Sequence, residues 1–337
     1  MNDKPITLTE FLRKLPPITL VGVMGVCGKS TTLSALVQIF KNAKDTVGGK
    51  FMVVDLSRED LFESYLKDIR RDNIIITKID AEYMEELDKS GIIPHISVFT
   101  NIVDIKPYKN LLKNLTYTNY VIGTDDAIDQ IKKEIKESIH GKMIRTGVGI
   151  LPKGLKLSDL SYHFREDISL AVRVAEIFEI PHQTIINTLS DFKGLPGRLE
   201  YIKKIKEVSY VNDAHSECFM ALSVALPYVS NYKNAVLIFG GNENDYDSEI
   251  QIEKLVQYCH TFVVIPGSGS QKIYKNILNR DDIVSIYAED VKDAVAKAHD
   301  RAGKGDVVIF SPGFCTNRVC GNRDERSEKF LEALRKL

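Results

Sequence analysis

The chain has 337 residues, enough for two domains that each bury a core. Its 45 basic and 46 acidic residues nearly cancel, and without a polybasic tract neither nucleic acid nor an anionic membrane surface is an expected partner. No apolar run approaches a membrane span, the first residues lack a signal-peptide core, and Cys27, Cys218, Cys259, Cys315 and Cys320 form no C-x-x-C pair, so the expected setting is a reducing cytoplasm.

In chain order, an apolar run over 18–24 predicts a buried strand. Gly25-Val26-Cys27-Gly28-Lys29-Ser30 follows, and then a helical segment over 31–41. Strand, glycine loop and helix together make a phosphate cradle. Glycines let backbone N–H groups wrap an anion, the helix N-terminus adds partial positive charge, and Lys29 adds a full one. The Ser30 hydroxyl can hold Mg²⁺. Strict G-x-x-x-x-G-K-[ST] spacing would want glycine at Val23, and the shorter G-x-x-G-K-S-T-T stands here. The stretch predicts a nucleoside triphosphate site built from Gly25, Val26, Cys27, Gly28, Lys29, Ser30 and Thr31. A strand-to-helix turn with a solvated lysine is the alternative.

Further buried strands are expected at 51–55, 73–77, 96–101 and 119–122, and again at 208–212, 235–239, 261–265 and 306–310. Amphipathic helices are expected at 59–70, 126–138, 167–178, 217–228, 290–301 and 323–336. Continuous apolar strands alternating with helices predict an α/β fold with parallel sheets covered on both faces. Gly194-Leu195-Pro196-Gly197 punctuates the middle. The expected layout is therefore a P-loop mononucleotide-binding domain over 1–197, followed by a smaller Rossmann-like α/β domain over 198–337.

Ligands of open α/β sheets bind beyond the carboxyl ends of strands. Polar clusters follow the apolar runs there: Asp55-Leu56-Ser57, Thr100-Asn101-Ile102-Val103-Asp104, Asn212-Asp213-Ala214-His215-Ser216, Gly240-Gly241-Asn242-Glu243-Asn244-Asp245 and Ser311-Pro312-Gly313. One such cluster reads as an ordinary helix-capping loop. Five with a phosphate loop predict a ligand cleft between two domains, with Asp55 placed to support Mg²⁺ directly or through water. Thr77-Lys78-Ile79-Asp80 opens a different class, because guanine-reading switch proteins use N-K-x-D at a strand end. Thr replaces Asn here and no D-x-x-G loop precedes it, so a solvated turn is the plainer reading.

These motifs together resemble the Mur ligases and their relatives, the ATP-dependent amide ligases of cell-wall peptide and folylpolyglutamate synthesis. Residues 25–32 match their G-T-N-G-K-[ST]-T-T loop, and Val54-Asp55-Leu56-Ser57 looks like E-L-S-S with Asp for Glu. Thr100-Asn101-Ile102 looks like the T-N-I before a metal-binding Asp-His, and Gly194-Leu195-Pro196-Gly197-Arg198-Leu199-Glu200 is close to G-x-P-G-R-x-E. Asp213-Ala214-His215, Asp306 to Gly313 and Asn322-Arg323-Asp324-Glu325-Arg326 resemble the C-terminal motifs, the last most like the D-glutamate-adding enzyme.

The resemblance implies a ligase that uses ATP and Mg²⁺ to join a carboxylate to an amino-acid amine through an acyl phosphate. It implies Lys29 and His215 as catalytic residues. Asp167, Arg198 and Asp213 join the loop in binding ATP, with Asp167 facing adenine and Asp213 facing ribose. Ser30, Asp55 and Asp104 would hold metal, and Asn101, Ser311 and Arg318 would hold substrate.

Departures from the family pattern leave a polyglutamate-type ligase and a non-catalytic ATP-binding relative as alternatives. About sixteen residues precede the first strand, where wall-building members carry a domain for the UDP end of their substrate. Ile105 stands in place of the metal histidine, and His163-Phe164-Arg165-Glu166-Asp167 replaces H-N-x-x-N. Lys109 and Lys113 are candidates, by position only, for the family's carbamylated lysine.

Overall fold

The computed structural model describes residues 6–47, 50–102, 104–135, 139–155, 157, 162–217, 222–223, 226–227, 229–242, 252–278, 280–314 and 322–337. The chain divides into two compact units, Met1–Lys193 and Gly194–Leu337. The break falls just before the Gly194–Gly197 punctuation, whereas the sequence predicts the boundary just after it.

Among the described residues the first unit holds β1 (Thr19–Met24), β2 (Phe51–Val54), β3 (Ile74–Lys78), β4 (Ile96–Phe99), β5 (Tyr120–Thr124) and β6 (Lys142–Thr146). They form one sheet in the order β2-β3-β1-β4-β5-β6, with every pairing parallel. The apolar run that begins at residue 18 thus sits mid-sheet, flanked by β3 and β4. Leu20 and Met24 of β1 point into a core shared with Phe11, Phe62 and Phe99. On that face the short helix Leu8–Arg13, closed by a Thr7–Glu10 capping box, stacks Phe11 on Phe62 at 4.4 Å. The helix Lys29–Asn42 packs with the helices Tyr162–Ile177 and His182–Leu189. Phe40 meets Phe178 edge-on at 5.1 Å, and Asn42 donates to Thr188 at 3.1 Å.

In the second unit β7 (Glu200–Ile205), β8 (Val208–Asn212), β9 (Ala235–Phe239), β10 (Cys259–Val264), β11 (Val284–Tyr287) and β12 (Val307–Phe310) are ordered β11-β10-β9-β12-β8-β7. Among the described residues only β7 runs antiparallel to its neighbour. The chain leaves β8 for β9 and later returns to insert β12 between them. The ends of β8 and β12 therefore open side by side at a crossover point of the sheet.

Among the described residues three strands were not expected from sequence, β6, β7 and β11, and each is an outer strand of its sheet. The helix expected at 31–41 begins at Lys29, and that expected at 167–178 begins at Tyr162. The helix expected at 126–138 spans Asp125–Glu134, and the end of the expected range lies outside the described residues. Much of the helix expected at 217–228 also lies outside them.

Candidate functional site

The loop after β1 has the geometry its glycines allow. Gly25 has φ 122° and Gly28 φ 82°, conformations that L side chains rarely adopt. A Cβ on Gly25 would stand 2.3 Å from the Thr100 hydroxyl and 2.6 Å from the Asn101 carbonyl. The loop is therefore pressed against the end of β4. Gly28 is the N-cap of the helix Lys29–Asn42 and no side chain caps that terminus. The first-turn N–H groups and the helix dipole are thus presented as an anion site. The Lys29 ammonium donates to the carbonyls of Gly25 at 2.6 Å and Val26 at 3.1 Å. It also pairs with Asp80 at 3.2 Å.

Sheet order decides which carboxylate reaches this lysine. β3 is the direct neighbour of β1, and Ile79 donates its amide to Val23. That pairing carries Asp80 to the phosphate end of the site. Asp55 follows β2, one strand further out, about 10 Å from β1 at ordinary strand spacing. It closes its own turn, accepting from the Ser57 amide at 3.0 Å and hydroxyl at 2.6 Å. Burial raises the Asp55 pKa, but those two bonds outweigh it and hold the carboxyl below its usual value. The acidic residue beside the loop is therefore Asp80, not the expected Asp55. The same geometry removes the guanine-reading interpretation of Thr77-Lys78-Ile79-Asp80, because Asp80 lies at the phosphate lysine.

Thr100 and Asn101, at the end of β4, bolt the loop from the other side. The Thr100 hydroxyl lies against the Cys27 carbonyl and 3.1 Å from that of Met24. The Asn101 side-chain oxygen accepts from the amides of Val26 at 2.8 Å and Cys27 at 3.0 Å. Asn101, expected to face substrate, thus has its acceptor committed to the loop. Asp104 accepts from the Lys106 amide at 2.9 Å, and Ile105 is buried in the core where the resemblance put a metal histidine. Among the described residues no cluster of three or more His, Cys, Asp or Glu side chains is placed to hold a metal. Ser30 and Asp80 offer one hydroxyl and one carboxylate beside the anion site. That set fits Mg²⁺, which takes one or two protein oxygens and fills its shell with phosphate and water.

Asp167 lies beneath the loop rather than out toward a base. A Cβ on Gly28 would stand 2.1 Å from its carboxyl oxygen, its backbone carbonyl accepts from Thr32 at 3.2 Å, and it is 4% exposed. Burial, helped by the neighbouring Glu166 charge and opposed by a hydrogen bond from Thr31, pushes its pKa up to about 8. The expected adenine contact is thus replaced by a place in the floor of the phosphate loop.

The second unit gathers its motifs at the ends of β8 and β12. Asp213 accepts from the Leu199 amide at 3.1 Å and the Ser311 hydroxyl at 2.6 Å. That amide bond holds Leu199 in the left-handed region at φ 43°. Burial raises the Asp213 pKa to about 6 against the pull of Ser311, Arg198 and Leu199. Asp213, expected at a ribose, and Ser311, expected at a substrate, thus bond to each other inside the unit, while Arg198 stays half-buried beside them. His215 seats its ring against Gly197, where a Cβ would approach within 2.7 Å, and pairs with Asp324 at 3.1 Å. Burial, then Arg198, lower its pKa against the opposing pull of Asp324. Arg326 is fully buried and donates to Ala214, to Phe314 at 3.2 Å and to Ser216 at 3.3 Å. It thereby ties the loop after β8 to the loop after β12. Arg318 lies outside the described residues, as do Glu243, Asn244 and Asp245.

Sequence reading missed Asp80 and the bolting role of Thr100 and Asn101. Asp80 ends the motif Thr77-Lys78-Ile79-Asp80, but the strand adjacency that gives it meaning is a tertiary fact.

No protein-family model matches the chain. It is 24% identical to the UDP-N-acetylmuramoylalanine--D-glutamate ligase of Staphylococcus haemolyticus over 98% of its own length and 77% of the relative's. To the ligase of the same name in Streptococcus sanguinis it is 23% identical, over 98% and 78%. Among solved structures, MurF ligase from Thermotoga maritima in complex with ADP superposes with a TM-score of 0.62 at 18% identity, covering 98% of this chain and 82% of that one. The bifunctional folylpolyglutamate synthase/dihydrofolate synthase of Yersinia pestis, complexed with AMPPNP and Mn ion, gives 0.65 at 14%, covering 100% and 96%.

Proposed function

We propose that this chain belongs to the Mur ligase family and is an ATP-dependent ligase that forms an amide from a carboxylate and an amino-acid amine, in cell-wall peptide synthesis in the cytoplasm. The observation that carries the reading is the preformed anion site at residues 25–31, with Lys29 and Asp80 against it. The loop and the helix terminus hold the phosphates, and Lys29 leaves Asp80 for the β- and γ-phosphates. Ser30 and Asp80 would hold Mg²⁺, which would supply neutralisation of the phosphate charge. The carboxylate oxygen attacks the γ-phosphorus and ADP leaves. The amine then attacks the acyl carbon, and phosphate departs as the amide forms and the nitrogen loses its proton. Phosphoryl transfer of this kind needs positioning and charge neutralisation more than covalent help from the protein. Arg198 is the second unit's candidate for nucleotide phosphate or ribose, and Asp213 holds the adjoining turn.

The test is a screen of carboxylate and amine pairs for stimulated ADP release from Mg-ATP. Stimulation by a muramoyl peptide or a muramic acid derivative together with one amino acid supports the cell-wall reading. Stimulation by a folate or polyglutamate with glutamate moves the reading to the relatives named for that chemistry. Binding of ATP without turnover for any pair overturns the enzyme.

A further inference from the structure

We infer that Asn101 is a positioning residue for the phosphate loop and holds it in its binding shape before a nucleotide arrives. The inference rests on the nucleotide-site reading above.

A glycine-rich loop is entropically costly to order, because each glycine loses more backbone freedom on folding than any other residue. Here the loop turns through two positive-φ glycines, Gly25 and Gly28. Between them the amides of Val26 and Cys27 converge on one acceptor, the Asn101 side-chain oxygen, at 2.8 and 3.0 Å. Backbone contact completes the seat: Gly25 lies so close to Asn101 that a Cβ there would meet its nitrogen at 2.9 Å and its carbonyl at 2.6 Å. Thr100 adds its hydroxyl against the Cys27 carbonyl. With two amides turned to Asn101, the uncapped N–H groups of the first turn of the helix Lys29–Asn42 remain as the anion-facing set. The side-chain oxygen of Asn101 is committed to the loop. It fixes which loop amides face the protein and which face the phosphate.

Removing this acceptor should leave the sheet intact and make the nucleotide order the loop on binding. Loss of two amide bonds predicts nucleotide affinity about tenfold weaker in Asn101→Ala. The Michaelis constant for ATP should rise by a similar factor, while turnover at saturating ATP is largely kept. Asn101→Asp offers two acceptors in the same place. It should keep the amides of residues 26 and 27 protected from hydrogen exchange in protein free of nucleotide, whereas Asn101→Ala should expose them.

The experiment measures Mg-ADP affinity by calorimetry and exchange at residues 26 and 27 in the wild type and both variants. Wild-type affinity for Mg-ADP tests the parent reading by itself, and the exchange arm tests Asn101 whatever that result is. Asn101→Ala binding within twofold of wild type, unchanged exchange in Asn101→Ala, or wild-type-like ATP dependence with turnover lost, as a substrate contact would give, overturns the inference. If Asn101→Ala fails to fold, loss of exchange protection in a folded Asn101→Asp does the same.

Discussion

Lys29 turns its ammonium to Asp80 and to two carbonyls of its own loop, but the Asp80 side chain is 46% exposed. An ion pair that open to water is worth less than about 1 kcal/mol, so a triphosphate displaces it at little cost. Lys29→Ala should therefore reduce ATP turnover by about a hundredfold or more, the scale of losing a charge-stabilising donor. Its thermal midpoint should stay near wild type, and near-normal turnover would remove the nucleotide site as read. The two carboxylates make a paired prediction. Asp80→Asn should raise the Mg²⁺ concentration needed for half-maximal turnover by about tenfold, as losing one ligand or its support does elsewhere. Asp55→Asn, one strand away and tied to Ser57, should leave that requirement close to wild type. The reverse ranking in a Mg²⁺ titration would restore Asp55.

At the scale of elements, the strand–loop–helix unit works because glycine stands at both bends. Gly28→Ala forces an L side chain to φ 82° and drives a Cβ into the Asp167 carboxyl. The left-handed backbone alone costs about 1–2 kcal/mol. Urea unfolding should show at least that loss in Gly28→Ala. Asp167→Ala in the same chain should relieve the clash but not the backbone term. Full recovery in the double variant would show the strain to be negligible. This unit was legible in the sequence because its signals are local: an apolar run, glycines at the turn and a helix behind them. The strands β6, β7 and β11 were not legible, for a physical reason. As outer strands they are covered less, so Lys142-Met-Ile-Arg-Thr and Glu200-Tyr-Ile-Lys-Lys-Ile carry charge through the strand and show no continuous apolar run. Asp80 was hidden for another reason. Its partner on the loop is fixed by β3 lying next to β1, and adjacency in a sheet is not written in strand order. Asp213 and Ser311, read as ligand-facing from their place after strands, turned inward because β12 inserts beside β8 and lets each satisfy the other.

Across the whole molecule, each unit keeps a buried carboxyl whose ordinary value is displaced upward, Asp167 in the first and Asp213 in the second. Burial is the leading cause in both, and its sign fixes how stability responds to pH. The unfolded chain releases these protons near pH 3.8, while the native chain keeps them until about 8 at Asp167 and about 6 at Asp213. The native state therefore binds more protons between those limits. The stabilisation these groups give is fully present below pH 3.8 and is lost as pH rises through the folded values. Each such group can remove up to about 1.4 kcal/mol per pH unit within its window. Asp167→Asn keeps the shape under Gly28 without the charge. It should flatten the fall in unfolding free energy up to about pH 8, and the gap from wild type should widen steadily above pH 4. Asp213→Asn should flatten the fall only below about pH 6, over a narrower window, because Ser311, Arg198 and the Leu199 amide favour the ionised form there. Urea unfolding from pH 5 to 8.5 follows both variants, using far-UV circular dichroism because the chain has no tryptophan. Parallel pH profiles for wild type and Asp167→Asn would mean that water or a cation reaches the floor of the phosphate loop and the carboxyl there ionises at its ordinary value.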